Sequence, residues 1–68
     1  MTSVSGKLFT KVLEKNGWVL LRVQRSHYIY GKSGNVARIS VPVHGNQPLK
    51  VGPLRHLMKL AGLDERDL

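Results

Sequence analysis

Between residues 18 and 43 the chain alternates β-prone runs with turn residues, and this limits its fold more than any other feature. WVLLRVQ, residues 18–24, is rich in β-branched and aromatic side chains. Within it Val19, Leu21 and Val23 share one face, and Trp18, Leu20, Arg22 and Gln24 the other. A second run covers residues 27–30. Gly31-Lys32-Ser33-Gly34-Asn35 then forms a turn cluster before a third run, residues 36–43. Two β-prone runs joined by such a cluster predict a hairpin. The third run alternates cleanly, with Ala37, Ile39, Val41 and Val43 opposed to Val36, Arg38 and Ser40. Pro42 has no N–H to donate, so this strand is ending there or lies at an edge.

Helical signals flank the strands. Over residues 5–16, Leu8, Phe9, Val12 and Leu13 fall on one stripe, Ser5 is suited to cap the start, and Asn16-Gly17 ends the helix. HGNQPLKVG is an irregular connection. Beyond it Leu54, Leu57, Met58 and Ala61 recur at i, i+3, i+4, i+7, while Arg55, His56 and Lys59 lie off that stripe. Pro53 suits a first helical turn, Gly62-Leu63 reads as a Schellman end, and Asp64 caps a last short turn. The expected fold is therefore α+β in the order α-β-β-β-α: a three-stranded antiparallel sheet with two helices on one face. That is the layout of a double-stranded-RNA-binding domain. Residues 1–68 form one domain, with no repeat and no linker.

Sixty-eight residues with 41% apolar side chains allow one thin core, since a chain this short buries only about 60% of its unfolded surface. An active site on it must be shallow, and suits a polymer or protein surface better than an enclosed metabolite. Cysteine is absent, which excludes disulfides, thiolate zinc sites and cysteine nucleophiles. No apolar run approaches the ~20 residues of a membrane span, and MTSVSGK lacks the apolar core of a signal peptide. The expectation is a soluble cytoplasmic protein. Charge points further. Eleven Lys and Arg oppose four Asp and Glu, and residues 1–63 hold ten of the bases but only one acid, Glu14. Such a bias attracts a polyanion and releases its counterions on binding, so the first expectation for a partner is nucleic acid.

Three histidines are available for chemistry. They are not at i, i+4 spacing, and the carboxylates cluster at the C-terminus, so no metal site and no cofactor is expected. Ser26 adjoins His27, and neighbouring strand residues point to opposite faces, which argues against a Ser-His-Asp triad. A basic surface with an imidazole is nevertheless sufficient for transesterification of RNA. Imidazole titrates near pH ~6.5 and can accept the proton of an attacking 2′-hydroxyl. Lys and Arg can stabilise the charge that grows on the phosphate oxygens. From the residues alone a strand histidine such as His27 is more often a structural side chain, paired across strands, or a plain phosphate contact. Its parity leaves two arrangements open: His27 with Ile29, or Tyr28 with Tyr30, faces the helices. His44 reads as a loop hydrogen-bonder and His56 as solvated surface. The tyrosines are suited to base stacking or to cross-strand packing.

Taken together, SGK, LEKNGW, RSHYIY, VPVHGN and LKVGPLRHLMKLAGL resemble, in order, the HicA (YcfA-type) toxins of toxin–antitoxin modules, over residues 5–68. The resemblance implies a double-stranded-RNA-binding-type fold. It also implies a ribosome-independent mRNA interferase, a toxin endoribonuclease of type II modules and of stress responses. The family's G-S-H motif corresponds to Arg25-Ser26-His27, which implies His27 as the catalytic residue and makes Arg25 a departure from glycine. The H-G-N loop corresponds to His44-Gly45-Asn46. Pro53 stands where threonine is usual, which removes a hydroxyl and an N–H from the start of the second helix and weakens an anion site there. The implied partners are mRNA and a HicB-type antitoxin. Phosphate contacts are assigned first to Arg25 and Lys50, with Ser26, and then to Arg22, Arg38, Lys32 and Arg55. Two other functions fit the same residues. A non-catalytic RNA-binding module would bind RNA in a salt-sensitive way and generate no new ends, and an adaptor whose charge serves only its protein partner would have no RNA affinity.

Overall fold

A computed structural model describes residues 4–68. Met1, Thr2 and Ser3, which open the stretch read above for a leader, lie outside the described residues. The elements are α1 (Gly6–Lys15), β1 (Val19–Gln24), β2 (His27–Lys32), β3 (Asn35–Pro42) and α2 (Val51–Ala61), with a 3₁₀ turn at Glu65–Asp67. The strands form an antiparallel meander in the order β1-β2-β3. The α-β-β-β-α order and antiparallel sheet are those expected from the sequence. β2 runs two residues further than its apolar run, because Lys32 pairs with Asn35 across a tight Ser33-Gly34 turn.

Local chemistry sets the helix boundaries. The Leu8 N–H donates to Ser5 Oγ at 3.1 Å, so Ser5 caps α1. Both helices close the same way. Gly17 takes φ +90°, and the Trp18 N–H donates back to Leu13 O at 3.0 Å. Gly62 takes φ +70°, and the Leu63 N–H donates to Met58 O at 2.9 Å. These are Schellman ends, in which a left-handed glycine turns the chain and the next apolar residue packs back on the helix. Asp64 caps the final turn and accepts from the Arg66 N–H at 2.9 Å.

One core joins the layers. Phe9 and Leu13 of α1, Leu54, Leu57 and Met58 of α2, and Tyr30, Ile39 and Val41 of the sheet are all buried, with Val4 and Trp18. Cross-strand partners share a face, and Tyr30 pairs with Ile39 and Tyr28 with Val41. Both helices therefore cover the face that carries the tyrosines. Tyr30 is 1% exposed, and its hydroxyl donates to Glu14 Oε2 at 2.7 Å, which ties α1 to the middle strand. Burial, reinforced by the Glu14 carboxylate, pushes the Tyr30 phenol up to about 12.

Three expectations need correction. Trp18 does not belong to the first strand's alternation, because it serves as the apolar follow-up of the α1 C-cap and is buried there. The alternation of β1 is itself broken. Leu20 pairs with Tyr30 but Arg22 pairs with Ile29, which leaves Leu21 as a bulge. Leu20 and Val23 consequently share the helix-covered face, while Arg22 and Gln24 turn to the open one. All six residues of β1 are exposed. Leu8, assigned to the core stripe of α1, is 49% exposed, and its place in the buried set is taken by Thr10.

Gly6 explains how α1 is seated. A Cβ on Gly6 would overlap the Pro42 carbonyl oxygen and touch Val43 Cα, so the first turn of α1 lies against the outer edge of β3. The segment before α1 continues this contact: Ser5 bridges Pro48, and the Leu49 N–H donates to Val4 O at 2.7 Å.

Two outcomes follow. Gly6→Ala should cost about 1–3 kcal/mol, the range for forcing extra atoms into a packed site, read as a lower urea midpoint. Because the Tyr30 phenol is raised in the folded state, its contribution is intact below pH ~10 and disappears as pH rises through about 12. Thermal midpoints measured from pH 9 to 12 should fall more steeply for the wild type than for Tyr30→Phe; parallel curves would exclude this linkage.

Candidate active site

Arg25 and Ser26 form the two-residue turn that joins Gln24 of β1 to its partner His27 of β2. Arg25 takes φ +57°, the one non-glycine with positive φ among the described residues. A positive φ at the first central residue and not at the second is the pattern of a II′ hairpin turn, whose first position glycine normally holds. This gives a physical reason for the glycine that precedes the serine in the family the sequence resembles. Arg25 meets the same backbone demand with a Cβ in place, at a cost of roughly 1 kcal/mol.

The turn delivers His27 to the start of the middle strand. With Tyr28 and Tyr30 facing the helices, His27 and Ile29 face the open side, which resolves the parity left open by the sequence. Tyr30 is thereby withdrawn from stacking on bases, and Tyr28 packs against the core. His27 is exposed and sits opposite Pro42. The next pair outward is hydrogen-bonded, the Val43 N–H donating to Ser26 O at 2.8 Å. Antiparallel ladders alternate bonded and non-bonded pairs, so Pro42 occupies a position at which no ladder N–H is required.

Beyond β3 the chain turns at His44, whose carbonyl accepts from the Gln47 N–H at 3.0 Å, with Gly45 at φ +58°. Pro42, His44, Gln47, Pro48, Leu49, Lys50 and Pro53 line a shallow cleft of about 210 Å³. Lys50 is the N-cap of α2, and no side chain caps that end. The Leu54 N–H makes the first helical bond, to Lys50 O at 2.9 Å, and Pro53 offers no N–H. Of the first helical turn, that leaves the Val51 and Gly52 amides without a helical acceptor. One end of the molecule thus gathers the Arg25-Ser26 turn, His27, His44 and Lys50, with Pro42 as the wall shared by His27 and the cleft.

The other expected phosphate contacts are dispersed. Arg22 and Arg38 line a depression of about 440 Å³ on the open sheet face with Leu21, Ile29 and Ser40. Arg38 is also turned toward its own hairpin, donating to Ala37 O at 3.0 Å and Asn35 O at 3.3 Å. Lys32 lies at the opposite end of β2, where its ammonium sits 5.7 Å from the centre of the Trp18 ring. Arg55 and His56 are exposed on α2. A group not singled out from the sequence is the groove of about 380 Å³ formed by Ser5, Lys7, Leu8, Lys11 and Asn46. Its signal was the i, i+4 spacing of Lys7 and Lys11. Among the described residues no three His, Asp or Glu side chains gather to hold a metal ion, and no helix is long and apolar enough to cross a membrane.

Replacing Arg25 by glycine should relieve the left-handed backbone. Arg25→Gly is expected to raise stability by about 1 kcal/mol, seen as a higher urea midpoint with an unchanged slope. An unchanged or lower midpoint would mean that the turn carries no strain.

The model of the family described as the HicA toxin of bacterial toxin–antitoxin systems matches residues 6–63. A search of curated proteins found none that matches the chain. The family match spans both helices, all three strands and the residues His27, His44 and Lys50, and on that basis the chain belongs to the HicA toxin family.

Proposed function

We propose that this toxin is an mRNA interferase: a metal-independent endoribonuclease that acts in the cytoplasm, binds RNA through its basic surface and cleaves it with His27. The observation that supports this reading most is the environment of His27. It is an exposed imidazole at the first position of the central strand, two residues after Arg25 and backed across the strand by Pro42. Glu14 is engaged with Tyr30, and the remaining acids all lie beyond the far end of α2. RNA brought to this end meets cations and an imidazole with no carboxylate in competition.

His27 moves a proton during attack of a 2′-hydroxyl on the adjacent phosphorus, and Arg25 and Lys50 stabilise charge on the non-bridging oxygens. Ser26 orients the turn, and Arg22, Arg38, Lys32 and Arg55 add long-range attraction that salt screens. A HicB-type antitoxin, the partner that family membership implies, masks this surface, and an acidic face on it would suit the +7 charge.

Inducing the wild type and His27→Ala in a bacterium tests the assignment. The wild type should arrest growth and fragment transcripts, and the variant should do neither while it remains folded and antitoxin-bound. Full toxicity with RNA degradation by His27→Ala rules out His27 as the catalytic group. RNA binding by the wild type with no new ends would favour the non-catalytic module instead. Lys50→Ala should lower the slope of log affinity against log salt by about one phosphate contact.

A further inference from the structure

Breaking the P–O5′ bond of RNA involves two proton transfers, one from the 2′-hydroxyl and one to the departing 5′-oxygen. The second is as demanding as the first, because an alkoxide leaves poorly without a proton. His27 is a single imidazole. The ribonuclease reading thus leaves one transfer without a group, and the structure offers a candidate that the sequence had set aside as a loop residue.

His44 follows β3 by two residues, and its backbone is held on both sides. The Val43 N–H bond to Ser26 O extends the β2–β3 ladder up to it, and the Gln47 N–H bond to its own carbonyl closes the next turn, at 2.8 and 3.0 Å. His27 stands opposite Pro42, two residues before His44. In a regular antiparallel pair such diagonal neighbours lie ~7–8 Å apart; His44 stands just past the end of β3 and departs from that position, which brings it within reach of a phosphodiester held at His27. Pro42 also walls the cleft that His44 lines, and Lys50 lies in the same cleft, able to face a non-bridging oxygen of the phosphate held between them. The third histidine, His56, is exposed on α2 and lines neither this cleft nor the sheet.

We propose that His44 is the second proton-transfer group of the site, acting with His27 as an acid–base pair across one phosphodiester. The proposal rests on the ribonuclease reading. The neutral imidazole of the pair takes the 2′-hydroxyl proton as O2′ bonds to phosphorus. The protonated one gives its proton to O5′ as the P–O5′ bond breaks, leaving a 2′,3′-cyclic phosphate and a 5′-hydroxyl. One proton is taken and one is given, so no further reactant enters.

The experiment uses purified wild type, His27→Ala and His44→Ala, each checked for folding by circular dichroism, on a short RNA cleaved at one mapped phosphodiester. A second RNA carries sulfur in place of the bridging 5′-oxygen at that bond, whose thiolate departs without a proton. On the oxygen RNA both variants should lose about 10²-fold or more in kcat/KM. On the sulfur RNA one of the two, and not the other, should recover to near the wild-type rate, and the rescued variant names the proton donor. If His44→Ala cleaves the oxygen RNA like the wild type, or if the sulfur substrate rescues both variants or neither, the proposal is wrong although the ribonuclease reading stands. If the wild type leaves the oxygen RNA intact, the ribonuclease reading itself falls and takes the pair with it.

Discussion

The burial of Tyr30 settles which way the central strand faces. Its ring fills the space between α1 and the sheet, and its hydroxyl needs the Glu14 carboxylate to offset the loss of water. A shift of one residue in β2 would send the ring to solvent and bring His27 under the helices, since side chains alternate strictly along a strand. The imidazole is accessible because a phenol three residues later is not. Ile39 and Val41, opposite Tyr30 and Tyr28, impose the same parity from β3.

Elements governed by local chemistry were legible from the sequence. The Ser5 cap, the two glycine-terminated helices, the Asp64 turn and the alternation of β3 each depend on residues a few positions apart. What escaped depends on contacts distant in sequence or on backbone geometry with no residue signature. The bulge at Leu21 is set by pairing with β2, and a run of Val and Leu on both faces gives no local hint of it. Trp18 looks like a strand residue by propensity, yet the C-cap of α1 claims it. Arg25 occupies a left-handed position that its side chain does not advertise. The candidate site was legible in part. His27, Arg25 and Ser26 are contiguous and share one turn, whereas His44 and Lys50 join them only through the ladder and the cleft. Lys32, chosen for its charge, is drawn to the far end by the length of β2 and by the Trp18 ring.

In a chain of this size a site has to be shallow. The helices occupy one face of the sheet and the core occupies the space between, and the cleft that His44 and Lys50 line arises where loops cross the end of β3. Gly6 matters to that end as much as any charged residue. By letting α1 touch the edge of β3, it fixes the strand terminus from which His44 and the α2 connection depart.

The bare flank of β1 has a consequence of another kind. Val19, Leu20, Leu21 and Val23 are all exposed along it, Arg22 is its one charge, and no strand lies beyond it among the described residues. Such an edge is a template for strand addition, and the +7 net charge opposes the approach of one free copy to another. Added salt weakens that repulsion. A salt-rich medium therefore leaves the β1 edge of the free toxin with less colloidal protection.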